Sequence, residues 1–183
     1  MNQIIMPENI FSGKNLVGKE IEHSTRTLGD IRSIFEQSDL ITAQQANHIA
    51  YNVTSYMPEK EGTPGGLYFG ITNLHPGLVG DEYFMTKGHF HAIRDTAEFY
   101  WGIEGEGILI LMDELGNIKG ERMFPGSLHY IPARMAHRVA NVSDAVLSFG
   151  ACWYSNAGHD YESIGKKGFT ARLKKINGVP QFV

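Results

Sequence analysis

Gly88-His89-Phe90-His91 is followed, after six intervening residues, by Glu98, and downstream by Gly126, Pro132, His137 and Asn141. In an extended backbone alternate side chains share a face, so His89 and His91 point the same way and can meet one ion. With Glu98 and His137 they form a set of three imidazoles and a carboxylate. That donor set suits Fe(II), Mn(II), Ni(II), Co(II) or Zn(II) better than Mg(II) or Ca(II). A lone His-x-His has bland readings too, since single histidines are common on half-exposed strands. The carboxylate and the third histidine make the metal reading the stronger one.

Working outward, residues 67–72, 81–86, 96–103, 107–112, 118–123, 128–131, 136–141 and 145–154 read as short strands rich in aromatic, aliphatic and β-branched residues. Turn sequences separate them, among them Asn73-Leu74-His75-Pro76-Gly77, Glu104-Gly105-Glu106-Gly107 and Pro125-Gly126-Ser127. Closely spaced strands without helical periodicity predict an all-β sandwich or barrel. Residues 57–66, with two prolines and three glycines, read as a loop.

The first third has a different character. Asp30 is a candidate cap for a short helix with Ile31, Ile34 and Phe35 on one face, and Thr42-x-x-Gln45 resembles a capping box. Residues 1–50 are therefore expected as a helical or irregular extension packed on a barrel of residues 51–183, the two making one folding unit. The basic tail, with Lys166, Lys167, Arg172, Lys174 and Lys175, reads as a solvated face.

At 183 residues and 42% hydrophobic, the chain suits one domain with a sizeable core. A net charge of −4 argues against nucleic acid as a partner. Ile108-Leu109-Ile110-Leu111-Met112 is far too short to span a bilayer, and the first residues lack the features of a signal peptide, so a cytoplasmic protein without membrane contact is expected. The one cysteine, Cys152, excludes an internal disulfide and reads as a buried structural thiol. Trp101 and Trp153 read as core or interface, while His23, His48, His75 and His129 fall outside the metal blocks.

The two blocks, His89 through Glu98 to Gly105 and Gly126 through Pro132 to His137 and Asn141, resemble the paired motifs of the cupin superfamily, which implies a jelly-roll β-barrel. Three positions depart from the general pattern: Tyr83 stands where a glycine usually opens the first block, six residues separate His91 from Glu98, and Arg134 replaces a glycine. These departures resemble one branch, the cupin-type phosphoglucose (glucose-6-phosphate) isomerases of archaea and some bacteria. Thr86-Lys87-Gly88-His89-Phe90-His91 with Thr96-Ala97-Glu98-Phe99-Tyr100 is similar to that family's first motif. Pro132-Ala133-Arg134-Met135-Ala136-His137-Arg138 is similar to its second, and Ala157-Gly158-His159-Asp160-Tyr161 with Lys167-Gly168-Phe169 to a third block. The resemblance spans roughly residues 50–170.

It implies interconversion of glucose 6-phosphate and fructose 6-phosphate in glycolysis and gluconeogenesis, with one divalent transition metal per subunit, Fe(II) first among the candidates, and a homodimer. The implied ligands are His89, His91, Glu98 and His137. Glu98 would also be the base that abstracts the C2 proton; a hydride shift, with Glu98 only a ligand, is the rival route. Tyr51, Thr72, Thr86, Lys87 and the Gly88 N–H would hold the phosphate, while Tyr100, His159 and Tyr161 would face the sugar, His159 serving ring opening or proton transfer. A metal-dependent oxygenase, a sugar-phosphate epimerase and a non-catalytic sugar-binding cupin are the alternative readings, because this barrel hosts many chemistries.

Overall fold

A computed structural model describes residues 4–165 and 168–183. Fifteen strands run in chain order: β1 (Asn9–Ser12), β2 (Asn15–Gly18), β3 (Ile21–Thr27), β4 (Ile49–Tyr56), β5 (Leu67–Leu74), β6 (Leu78–Val79), β7 (Glu82–Tyr83), β8 (Glu98–Glu104), β9 (Gly107–Met112), β10 (Ile118–Met123), β11 (Leu128–Ile131), β12 (Ala136–Asn141), β13 (Leu147–Tyr154), β14 (Leu173–Ile176) and β15 (Val179–Phe182). Three single-turn 3-10 helices, Arg32–Ile34, Ser38–Leu40 and Gln45–Asn47, lie between β3 and β4. The fold is the all-β cupin barrel. No helix among the described residues is long and apolar enough to cross a membrane.

A six-stranded sheet, ordered β11-β8-β13-β5-β4-β3, faces a three-stranded sheet, β10-β9-β12. Strand alternation fills the space between them. Leu74, Tyr100, Phe149 and Ala151 come from the first sheet and Leu109, Leu111 and Val139 from the second, all in one buried cluster. The four-stranded sheet β15-β14-β7-β6 supplies Leu173 to the same cluster, and Phe169 just before it joins too. All six residues of β12 are buried, so it has no polar face to alternate with. Asn141, fully buried there, donates to Leu74 O (2.9 Å) and Ala145 O (2.7 Å) and accepts from Ser143, which satisfies both ends of its amide.

Several strands differ from their sequence-based spans. The 81–86 stretch pairs as a strand only at Glu82–Tyr83. It then leaves β6 and meets β12 through the Met85–Ala140 bridge, and this change of partner breaks its ladder. The first third contains β1 to β3, and β3 hydrogen-bonds along β4 as the edge of the main sheet. Leu28, Ile31, Phe35 and Ile41 join the same hydrophobic cluster. Asp30 caps no helix. Its carboxylate accepts from the N–H (2.8 Å) and hydroxyl (2.9 Å) of Thr27 and closes the turn after β3. Thr42 and Gln45 do exchange the reciprocal bonds of a capping box, at 3.0 and 3.2 Å.

The tail is not a uniformly solvated face. Arg172 pairs with the buried Glu82 at 2.7 Å, and Lys174 with Glu36 at 2.6 Å, so this segment is tied to residues from the first half of the chain. Lys175 is exposed, and Lys166 and Lys167 lie outside the described residues. Arg134 sits in the left-handed region (φ 66°), which glycine adopts without the Cβ clash that other residues incur. Its N–H donates to Arg94 O at 2.8 Å and its guanidinium reaches Asp95, which holds the turn. Cys152 is half-buried on the outer face of the main sheet, and burial pushes its thiol up, away from the reactive thiolate.

Candidate metal centre and cavity

The pleat of the main sheet decides which residues look inward. On β8, Glu98, Tyr100 and Gly102 are buried while Phe99 is exposed. Their neighbours across β13 are Trp153, Ala151 and Phe149. The row through Tyr100 and Ala151 continues to Gly70, Ser55 and Glu22. From the opposite side, residues 85–89 run antiparallel to β12, with the His89–His137 bridge closed by backbone bonds of 3.2 and 3.0 Å. Glu98 and His137 thus approach from facing sheets, with His89 and His91 between.

The ligand atoms of His89, His91 and His137 lie within 4.8 Å of one another. Glu98 Oε2 is 3.1 Å from both His91 Nε2 and His137 Nε2. The far side of each ring fixes its tautomer. His91 Nδ1 faces Thr96 O (3.0 Å) and Thr96 Oγ1 (2.9 Å), and that hydroxyl already donates to Ile93 O. Only an N–H suits two acceptors, so Nδ1 carries the proton and Nε2 presents its lone pair inward. His137 Nδ1 likewise donates to Met135 O at 3.3 Å, and its buried Nε2 has no hydrogen-bond partner among the described residues. Two imidazole lone pairs and a carboxylate oxygen converge where each needs a cation. Imidazoles whose outer N–H groups are held by backbone carbonyls are the usual support of a metal site. The residues fit a divalent ion.

The electrostatics agree for His89, while Glu98 draws a proton toward the metal-free His91. Burial, followed by the neighbouring His137, His159 and His91 rings, holds His89 well below the usual histidine range and keeps it neutral and ligand-competent. Burial works against Glu98, but the His137 and His91 imidazoles outweigh it and hold the carboxyl below its ordinary value. Burial also opposes the His91 cation, yet Glu98 and the Thr96 carbonyl raise its pKa overall. Tyr100 is pushed well above the usual phenol value by burial and then by the Glu98 charge, so it stays a donor.

A cavity of about 320 Å³ opens onto this cluster, and all twelve residues singled out in the sequence line it. His159 stacks against Tyr161 (5.8 Å, 5° between planes) and meets His89 edge-on at 4.3 Å. Burial lowers the pKa of His159. The pKa of the Tyr51 phenol is raised chiefly by burial, with the nearby Lys87 backbone working against it. Gly88 adopts φ 74°, and its N–H has no backbone acceptor among the described residues. The Thr86 hydroxyl accepts from Val139 N (3.0 Å), which leaves its own hydrogen free to donate. The Lys87 ammonium lies 4.1 Å over the Tyr161 ring.

Residues that sequence reasoning passed over also line the cavity: Glu22, His23, Ser24 and Arg26 from β3, and Trp153. Trp153 is therefore no mere core residue; its ring lies 3.1 Å from where a Cβ on Gly70 would stand. Residues 22–27 are polar at every position, so no alternation of polar and apolar side chains signalled this strand in the sequence. His129 stays apart from the cluster, held by Glu121 and Ser127 at 2.9 Å each.

The family model described as glucose-6-phosphate isomerase matches residues 25–180. The glucose-6-phosphate isomerase of Thermococcus litoralis is 38% identical over 157 residues, covering 85% of this chain and 82% of that protein. The enzyme of the same name from Pyrococcus furiosus is 39% identical over the same length and coverage, and that of Thermococcus onnurineus 40% over 154 residues, covering 84% and 80%. Among solved structures, oxalate decarboxylase from Bacillus subtilis is more remote, at 19% identity and a TM-score of 0.47 over 60% of this chain and 26% of that one.

Proposed function

The chain belongs to the glucose-6-phosphate isomerase family, and from that membership and the buried histidine–carboxylate cluster we propose that it is a metal-dependent isomerase of glucose 6-phosphate and fructose 6-phosphate. The observation that carries the metal dependence is the pair of inward Nε2 lone pairs set against one carboxylate oxygen at 3.1 Å. His89, His91, His137 and Glu98 would hold the ion, with Fe(II) the first candidate and Mn(II), Ni(II), Co(II) and Zn(II) acceptable to the same donors. When bound, a divalent ion at this position supplies Lewis-acid stabilisation of negative charge developing on sugar oxygens.

The chain's own groups carry the proton steps. Only Oε2 of Glu98 faces the imidazoles. Among the described residues its other oxygen has no hydrogen-bond partner, which divides the ligand and base roles between two atoms. In this reading that oxygen takes the C2 proton of the open-chain aldose. The C–H electron pair becomes the C1=C2 bond of a cis-enediol as the C1=O π pair moves to O1, which takes a proton; loss of the O2 proton then forms C2=O and the abstracted proton is returned to C1. His159, held neutral by burial, moves the proton between O2 and O1. Tyr100 and Tyr161 donate to sugar hydroxyls. The Thr86 hydroxyl and the unpaired Gly88 N–H take the phosphate, with Tyr51, Thr72 and Lys87 beside them.

An exposed apolar strip on the outer face of the main sheet favours a homodimer. Exposed Phe99, Tyr130 (5.3 Å from Phe99) and Leu128 form it, and it runs on through half-buried Trp101 and Phe69 to exposed Phe11. We place the enzyme in glycolysis and gluconeogenesis in the cytoplasm, with residues 1–50 and 51–183 folding as one unit because β3 pairs along β4. The test is conversion of fructose 6-phosphate by chelator-stripped protein before and after each metal is restored. Turnover that vanishes and returns supports the proposal; folded protein inactive with every metal refutes it. Oxygen consumption on metal addition would point to an oxygenase instead.

A further inference from the structure

A phosphate dianion at the Thr86–Gly88 end of the cavity calls for more than one cationic partner. Among the described residues two basic side chains line the cavity, Arg26 and Lys87. The Lys87 ammonium already rests on the Tyr161 ring at 4.1 Å. Arg26 stands directly opposite Tyr51 in the β3–β4 register, so the two side chains share the inner face with Cβ atoms about 5 Å apart. Immediately after Arg26 the register slips: Thr27 pairs with Ile49, leaving Ala50 unmatched. Such bulges bend an edge strand and re-aim the adjoining side chain. Among the described residues the Arg26 guanidinium has no carboxylate partner, and its recorded bond, to Thr25 O at 3.1 Å, uses one nitrogen. The residue is exposed, so its side chain is free to turn into the cavity mouth. Its charge is felt by both the Tyr51 and Tyr161 phenols.

We infer that Arg26, carried on the edge strand β3, is the cation that clamps the substrate's phosphate, completing a subsite begun by Tyr51, Thr86 and Gly88. This rests on the isomerase reading and gives the N-terminal segment a function: it delivers a second basic side chain, besides Lys87, to that end of the cavity. A guanidinium presents two parallel N–H groups to two phosphate oxygens, which an ammonium cannot do. Arg26 thereby selects phosphorylated over free sugars and adds little to the chemical step.

The experiment compares wild type with Arg26→Met and Arg26→Lys in two assays. In turnover, Arg26→Met should raise KM for fructose 6-phosphate about ten- to hundredfold with kcat changed far less, the pattern of lost uniform binding, and Arg26→Lys should recover part of the loss. In the second assay, glucitol 6-phosphate, which has no carbonyl and cannot isomerise, should protect wild type against thermal unfolding while free glucitol does not. Arg26→Met should lose most of that protection. Equal protection of wild type and Arg26→Met, or a fall in kcat with unchanged KM, overturns the inference. Arg26-dependent protection in a protein that no metal makes active would leave the clamp standing and refute the isomerase. No protection of wild type by glucitol 6-phosphate refutes the clamp.

Discussion

Replacing Glu98 by glutamine separates two physical readings of the same 3.1 Å contacts. If Glu98 is a ligand facing two neutral imidazoles, metal-free protein holds an unrelieved buried carboxylate between lone pairs. A glutamine amide can donate to one Nε2, so the stripped variant should melt within about 1 kcal/mol of stripped wild type, on either side. If instead Glu98 is the anionic half of a permanent ion pair with protonated His91, removing it breaks a buried pair. That costs about 3–5 kcal/mol, or about 6–20 °C in a protein of this size. Metal should then stabilise wild type by about 2.7 kcal/mol at a hundredfold excess over Kd, about 5–11 °C, and Glu98→Gln should lose most of that shift. Turnover should fall about 10²–10⁴-fold in the variant. The assay is calorimetry of stripped and metal-loaded samples at pH 8. Stability derived from the raised His91 pKa is fully present below 6.5 and is lost as pH rises through the folded value, so the stripped samples are also melted at pH 6, where an ion-pair contribution is present. A drop above 6 °C in the stripped variant, with the metal shift intact, would refute the ligand assignment.

Acid should weaken the metal-free protein. Burial lowers the pKa of His89 and His159, so below pH 6.5 the unfolded chain binds protons that the folded one resists. His91 opposes this in part; urea unfolding at pH 7.5 and 5.5 should still show a net loss, and constant or rising stability toward acid contradicts it. Gly88→Ala places a Cβ at φ 74° and 2.8 Å from Arg138 Nε, beside the Phe169 ring. It should cost about 2 kcal/mol or more and depress turnover, read by melting and by steady-state kinetics. Leu128→Asp with Tyr130→Asp charges the exposed strip on β11 and should convert a dimer to monomers in light scattering without moving the metal-induced thermal shift.

Glu98, His89, His91 and His137 were legible in the sequence because metal chemistry constrains residue type and local spacing together. The strands from Leu67 to Tyr154 were legible because half-buried strands alternate and glycine turns interrupt them. What the chain does not encode locally is register between distant segments. Arg26 meets Tyr51 across 25 positions, Glu98 meets Trp153 across 55, and nothing near either residue announces its neighbour. Residues 21–27 are polar at nearly every position because an edge strand with one side in solvent and the other in a wet cavity buries little, so its hydrophobic pattern is silent. The sequence alone determined the barrel class and singled out the four side chains, His89, His91, Glu98 and His137, that the fold brings together. Only the tertiary structure decided that the N-terminal strand closes the cavity, because pairing partners are selected by the packing of the whole sheet and not by the propensity of either strand.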